Sequence, residues 1–295
     1  MTERRTVYVT DLDSTLLGVD ARLSERTRSG LAALLDEGLV LTVASARSVL
    51  SMQPILRGLK LPLPVVEQNG AFVSDLTTGE HLLTRAIDRD VAEEVYGLIR
   101  AAGCLPFVSS FDGRSDRLYY SEVENPGMQW YVDDRTSNSD SRLCRTDDVA
   151  RGLSEQVVCV TVIDDPGVIE RLASVVRGRF GPELTTRRFT NEYYRDWDWL
   201  TIHDGRAGKD KALAWLLTEF GLGESEVVAF GDSDSDVPLF RFADRGIAVD
   251  NALAEVRSIA TEIIGHSSQD SVIAYLERDW TEARGERATS SECET

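Results

Sequence analysis

The chain begins with a short apolar run, TVYVTDLD, that stops on two aspartates, Asp11 and Asp13. The run is continuous and β-branched, the pattern of a strand buried on both faces. LSERTRSGLAALLDEG follows, with apolar residues at helical spacing, Ser24 placed as N-cap and Gly38 at the end. LVLTVASA predicts a second buried strand, RSVLSMQPILRGL a helix and PLPVVEQNG a third strand. Strand, helix, strand, helix, strand predicts a parallel sheet with helices on its faces.

The spacing then changes. AFVSDLTTGEHLLTRAI predicts a hairpin around a TTGE turn, and DRDVAEEVYGLIRAAG a helix. From 105 to 150 the pattern is polar and irregular, with strands at LPFVSSF and DRLYYSEV and an exposed loop at DDRTSNSDSR. QVVCVTVID predicts a strand, PGVIERLASVVRGRFG a helix opened by Pro166, and PELTTRRFTNEYYRDWDWLTIHD a strand pair. Alternation of strand and helix returns with KDKALAWLLTEFGLG, EVVAFGDSDSD, VPLFRFAD, GIAVDNA, LAEVRSIATEII and SSQDSVIAYLERDW. The expected class is α/β: a Rossmann-like parallel sheet core, 1–83 and 193–280, with an inserted α+β domain over 84–192. Residues 281–295 are polar and read as a disordered tail. No internal repeat is visible.

Composition narrows the function. The formal net charge of -18 disfavours binding along a nucleic-acid backbone. No apolar run approaches bilayer length and no signal-peptide core is present, so no membrane partner is expected and the expected location is the cytoplasm. The four cysteines have no CxxC spacing and the three histidines form no HExxH-like pair. These read as structural or surface residues.

In an open parallel sheet, ligands bind beyond the carboxyl ends of the strands. The polar residues expected there are Asp11 and Asp13, Ser45, and Asp232, Asp234 and Asp236, with Lys209 at a helix start. Singly, each has an ordinary reading: a turn or N-cap for the DxD pair and for Ser45, a surface or capping residue for Asp234. Together they describe hard oxygen ligands suited to Mg2+, one lysine to neutralise an anion, and one hydroxyl to bind it. Such a set suits phosphoryl transfer: one carboxylate attacks phosphorus, and a second acid serves the leaving oxygen and the water.

These stations resemble the four motifs of the haloacid dehalogenase superfamily. DLDSTLL is similar to its DxDGTLL, TVASAR to its second motif, GKDKAL to its KGxAL and AFGDSDSD to its FGDxxND. VVEQNGAFV, VDNALAEVRSIA and SSQDSVIAYLE resemble the NGA, GNA and DGV segments of the Cof-type branch, which carries a type IIB cap between its second and third motifs. The resemblance covers 1–83 and 200–280 and is weak through the cap. It implies Asp11 as nucleophile and metal ligand. Asp13 is implied as general acid/base and as a ligand through its carbonyl, Asp232 as a third protein ligand, and Asp236 as a supporting residue counted in the metal set. Ser45, Lys209 and Ser235, with the backbone amides of Leu12 and Ala46, are implied to hold phosphate. Ser14, Ala46, Asp210 and Ser271 stand where the family has Gly, and Ser235 where it has Asn.

The expectation is a Mg2+-dependent phosphatase acting on a small phosphorylated metabolite, a sugar phosphate first, with a sucrose-phosphate-type or flavin-precursor phosphatase also open. The cap is implied to cover the site and choose the substrate. A phosphomutase of the same fold is the nearest alternative. A receiver-like signalling module, a DxD glycosyltransferase and a non-catalytic phosphate-binding scaffold fit the motifs less well. Trp197, Trp199, Tyr193 and Tyr194 are read as packing residues before a sugar- or ring-stacking platform, and Arg47, Arg187 and Arg188 as solvated surface before substrate contacts. The oligomeric state is left open.

Overall fold

The computed structural model describes residues 5–191 and 194–292. The chain divides into two compact units, one formed by residues up to Leu82 and from Gly208 on, the other by Leu83–Ala207. The inserted unit thus ends fifteen residues later than the 192 expected from the pattern, because the long last strand of the insert belongs to it.

The first unit begins with β1 (Thr6–Thr10), α1 (Glu25–Asp36), β2 (Leu41–Val43), α2 (Val49–Ile55), β3 (Val65–Glu67) and β4 (Phe72–Ser74), and β5 (His81–Thr84) runs across the boundary at Leu82. Ser24 caps α1 as expected, its side chain accepting the Thr27 N–H at 2.9 Å. The insert supplies α3 (Arg89–Ala101), β6 (Phe107–Phe111), β7 (Asp116–Tyr120), α4 (Pro126–Ser137), β8 (Leu143–Arg145), β9 (Gln156–Asp164), α5 (Pro166–Phe180), β10 (Leu184–Asn191) and β11 (Tyr194–Asp204). The chain then returns with α6 (Lys209–Glu219), β12 (Glu226–Gly231), α7 (Val237–Phe242), β13 (Arg245–Ala248), α8 (Ala254–Ile259), β14 (Glu262–Ile263) and α9 (Ser271–Glu292).

The core sheet has the order β14-β13-β12-β1-β2, every pairing parallel. A parallel bridge from Ala44 to Val66 brings β3 alongside β2. The central β1 is buried at Val7, Tyr8 and Val9, as a continuous apolar run requires. Its neighbour β12 comes from the far end of the sequence, with Thr10 opposite Phe230. That pairing sets Asp11 beside the start of the GDSDSD segment.

The insert is a six-stranded sheet, β10-β11-β9-β6-β7-β8, antiparallel except between β7 and β8. One face packs Val160, Val162, Leu200 and Ile202 against Val95 and Ile99 of α3 and Leu172 and Val176 of α5. The other packs Phe107, Ile163 and Trp199 against Met128, Tyr131 and Val132 of α4. The loop expected over 133–142 is therefore corrected: α4 occupies its first half. Met128, Tyr131 and Val132 have i, i+3, i+4 spacing, and Asn125 caps the helix by accepting the Met128 N–H at 2.8 Å.

Two further expectations change. Glu262–Ile263, expected at the end of a helix, form the edge strand β14. The last helix runs to Glu292, so 281–292 are helical where a disordered tail was expected. That stretch has no proline and is rich in Glu, Ala and Arg, good helix formers. Residues 293–295, including Cys293, and Tyr193 lie outside the described residues.

Candidate active site

The site is built where β1 and β12 end side by side. The Asp11 N–H donates to Phe230 O at 3.0 Å, which continues the ladder one residue past β1 and directs Asp11 beyond the sheet edge. A tight irregular turn over Leu12–Leu16 follows, with Ser14 in the left-handed region at φ 55°. That conformation suits glycine, the residue the family motif has here. Asn251 closes the turn from outside, donating to Ser14 O at 2.7 Å while its own oxygen accepts from Ser267 N at 2.9 Å.

Lys209 is the first residue of α6 and is 1 % exposed. Its ammonium donates to Asp11 Oδ1 at 2.7 Å and to Asp236 Oδ1 at 2.6 Å. The QNG turn fixes where α6 starts. Gly70 sits at φ +91°, and a Cβ there would stand 2.2 Å from Gly208 O. Only glycine permits that approach.

Asp236 is fully buried and has both oxygens engaged. Oδ1 takes the lysine; Oδ2 accepts the N–H groups of Asp232 at 3.1 Å and Ser233 at 3.0 Å. Asp232 accepts the Thr15 hydroxyl on Oδ1 at 3.0 Å. Carboxylate oxygens of Asp11, Asp232 and Asp236 all lie within 4.8 Å of one another. Three carboxylates and one ammonium leave the cluster two charges short of neutrality. Burial, and then neighbouring Asp236, push the Asp232 carboxyl up to about 7. Asp11 is raised well above the usual carboxylate range, chiefly by burial, with Lys209 opposing and Asp236 and Asp232 adding. Burial works against the Lys209 ammonium, yet Asp11 and Asp236 hold its pKa above the ordinary lysine value. A cluster with this excess of negative charge and these hard oxygen donors fits a divalent cation such as Mg2+.

Asp13 is not among the clustered carboxylates. Its side chain is half exposed and gripped by Arg47, with Nε to Oδ2 at 2.8 Å and a terminal nitrogen to Oδ1 at 2.6 Å. Arg47, read as solvated surface, is thus a partner of an expected catalytic residue. Ser45 is buried after β2, and its hydroxyl accepts the Arg47 N–H at 3.2 Å. Ser235 pairs with the Ser233 hydroxyl at 2.9 Å. Leu12 is fully buried, Ala46 is exposed on the loop after Ser45, and Asp234 is exposed, as its surface reading anticipated. In the inserted unit Trp199 is buried in the core, and Trp197 packs where a Gly127 side chain would stand. Arg188 bonds Asp198 at 2.6 Å and also pairs with Glu170. Thr15, Arg47 and Gly70 are the residues that motif reading missed. Thr15 and Gly70 carried a signal, as the threonine of DLDSTLL and the glycine of the NGA segment.

A family model described as haloacid dehalogenase-like hydrolase matches residues 8–276. The chain belongs to the haloacid dehalogenase-like hydrolases. The match is in line with the Cof-type motifs. It is 23% identical over 271 residues to the 5-amino-6-(5-phospho-D-ribitylamino)uracil phosphatase YitU of Bacillus subtilis, covering 90% of this chain and 94% of that protein. It is 28% identical over 269 residues to the HMP-PP phosphatase of Escherichia fergusonii, covering 90% and 92%. Among solved structures, a haloacid dehalogenase-like hydrolase from Bacteroides thetaiotaomicron superposes with a TM-score of 0.76 at 22% identity, over 94% of this chain and 99% of that one. The subclass IIB sugar phosphatase BT4131 superposes with a TM-score of 0.72 at 15% identity, over 93% and 98%. Both likenesses are of fold. Among the described residues no helix is long and apolar enough to cross a membrane.

Proposed function

We propose that this hydrolase is a Mg2+-dependent phosphatase that cleaves a small phosphorylated metabolite through an aspartyl phosphate on Asp11. The observation that carries the reading is Lys209, held between Asp11 and Asp236 with Asp232 within reach. Asp11 Oδ1 is engaged by the lysine, which leaves Oδ2 to attack phosphorus. Asp11 Oδ1, which keeps a lone pair beside the lysine bond, and the Asp232 oxygen free of Thr15 would hold the ion, together with the Asp13 carbonyl. Asp236, engaged on both oxygens, orients Lys209 and the Asp232 backbone. Bound Mg2+ supplies positive charge that offsets the phosphoryl oxygens and the carboxylates.

Lys209 faces the negative phosphoryl group, and Ser45 with the amides of Leu12 and Ala46 donate hydrogen bonds to it. Ser235, shorter than the family's Asn, contributes at shorter reach. Asp13 protonates the leaving oxygen and then takes the proton of the water that hydrolyses the aspartyl phosphate. The substrate is a small molecule, a sugar phosphate first, and not nucleic acid, given the net charge of -18. A cytoplasmic location and no membrane partner fit the same reading.

The test is turnover of a panel of phosphorylated sugars and nucleotide or cofactor precursors, with and without Mg2+. Release of inorganic phosphate that needs Mg2+ supports hydrolysis. Recovery of an isomeric phosphorylated product in place of inorganic phosphate would make the protein a mutase.

A further inference from the structure

Outside the acidic cluster, the first unit buries a further carboxylate. Glu67, the last residue of β3, is 0 % exposed. Its Oε2 accepts the N–H of Val49, the first residue of α2. Its Oε1 accepts the Ser74 hydroxyl at 2.5 Å. His81 Nδ1 lies 2.7 Å from Ser74 Oγ and 3.1 Å from Glu67 Oε1, and Phe72 stacks on the imidazole at 3.9 Å. The donors order themselves: Ser74 O–H gives to Glu67, so His81 Nδ1–H gives to Ser74 Oγ. This tautomer follows from the neighbours.

A buried carboxylate is costly unless its bonds are all made. The local alternative was available. Ser48 is in the N-cap position of α2, yet its side chain makes no cap bond. Glu67 caps the helix from another strand instead. A local serine would hold only the helix end. A carboxylate on β3 ties that end to the sheet.

The backbone around it has the same effect. Ser45 N–H donates to Val66 O at 2.9 Å, Gln68 N–H to Arg47 O at 3.0 Å and Asn69 N–H to Ser45 O at 3.0 Å. Residues 66–69 therefore clamp the loop 45–47, and the Glu67 side chain clamps residue 49. Between those points stand Ser45 and Arg47, the hydroxyl and the guanidinium of the site.

We propose that Glu67 is a positioning residue for the phosphoryl site: it sets Arg47 through Val49, and Ser74 and His81 hold it in place. Through Arg47 it also aims Asp13. The proposal rests on the phosphatase reading above.

A double-mutant cycle with kcat and KM measured separately tests it. Supporting partners of this kind cost about 10- to 100-fold when removed. Glu67→Gln should lower kcat/KM at least about tenfold in the native background, mostly in kcat, and less than about twofold when Arg47 is already alanine. Ser74→Ala and His81→Gln, which keep the carboxylate, should show the same pattern with smaller losses, and they carry the test if Glu67→Gln does not fold. Amide exchange at Val49 reads the clamp without turnover and should speed up at least about tenfold in Glu67→Gln. Losses that multiply in the Arg47→Ala background would overturn the positioning role, as would native kcat alongside accelerated exchange. A native protein that exchanges Val49 slowly but hydrolyses nothing in the panel fails the phosphatase reading, and the positioning role falls with it.

Discussion

Arg47 holds the Asp13 carboxylate with two parallel hydrogen bonds, at 2.6 and 2.8 Å. The fork geometry selects one orientation of the acid. A lysine at 47 would keep the charge and lose the fork. Arg47→Lys is expected to lower kcat by about 10- to 100-fold. The pair is partly exposed, so the melting temperature should barely move: such pairs contribute at most about 1 kcal/mol. Steady-state kinetics beside thermal unfolding checks both halves.

Gly70 and Gly208 meet backbone to backbone, and that contact places Lys209. Gly70→Ala adds a Cβ 2.2 Å from Gly208 O and also strains a φ of +91°. The expected cost is about 3 kcal/mol or more in chemical denaturation. Activity should fall further than stability requires at a temperature where the variant stays folded, because the ammonium is displaced from Asp11.

Much of the site was legible in the sequence because its carboxylates follow strands. An apolar run that ends on Asp11, or on the GDSDSD segment, states where the sheet stops and the polar chemistry starts. Lys209 was legible only through its register in KDKAL. Arg47 was not, since an arginine on a loop looks solvated until its partner is known. Glu67 was invisible for the opposite reason: within VVEQNG it reads as one polar residue at a strand end, and its partners Ser74 and His81 come from the following hairpin. The helix α4 was hidden because its apolar residues are few and DDRTSNSDSR has loop composition. What it covers, the second face of the insert's sheet, is a tertiary fact.

The negative excess of the Asp11, Asp232 and Asp236 cluster makes a metal dependence of stability expected. Mg2+ at about one hundred times its dissociation constant should stabilise the native protein by about 2.7 kcal/mol, and a chelator should reverse it. Asp232→Asn should abolish the Mg2+ response in a thermal shift measurement. An unchanged response would remove Asp232 from the ligand set.

His203 supplies a pH effect remote from the chemistry. It is buried in the inserted unit, and Nδ1 lies 3.0 Å from Val158 O. Burial first, and the charge of Arg187 second, lower its pKa to about 4. The native state therefore keeps it neutral, while the unfolded chain protonates it below about 6.5. Its stabilising effect is present above pH 6.5 and is lost as pH falls from 6.5 towards 4. Relative to His203→Gln, the native protein should lose up to about 3 kcal/mol of unfolding free energy across that window. Denaturant titrations of both proteins at several pH values measure the difference.

The central claim is that Asp11 carries the phosphoryl group. Rapid acid quench during turnover with Mg2+, followed by peptide mass mapping, tests it most directly. The expected result is a phosphoryl adduct on the peptide that contains Asp11, and neither adduct nor turnover in Asp11→Asn. Continued phosphate release by Asp11→Asn, or an adduct mapped to another residue, would contradict it.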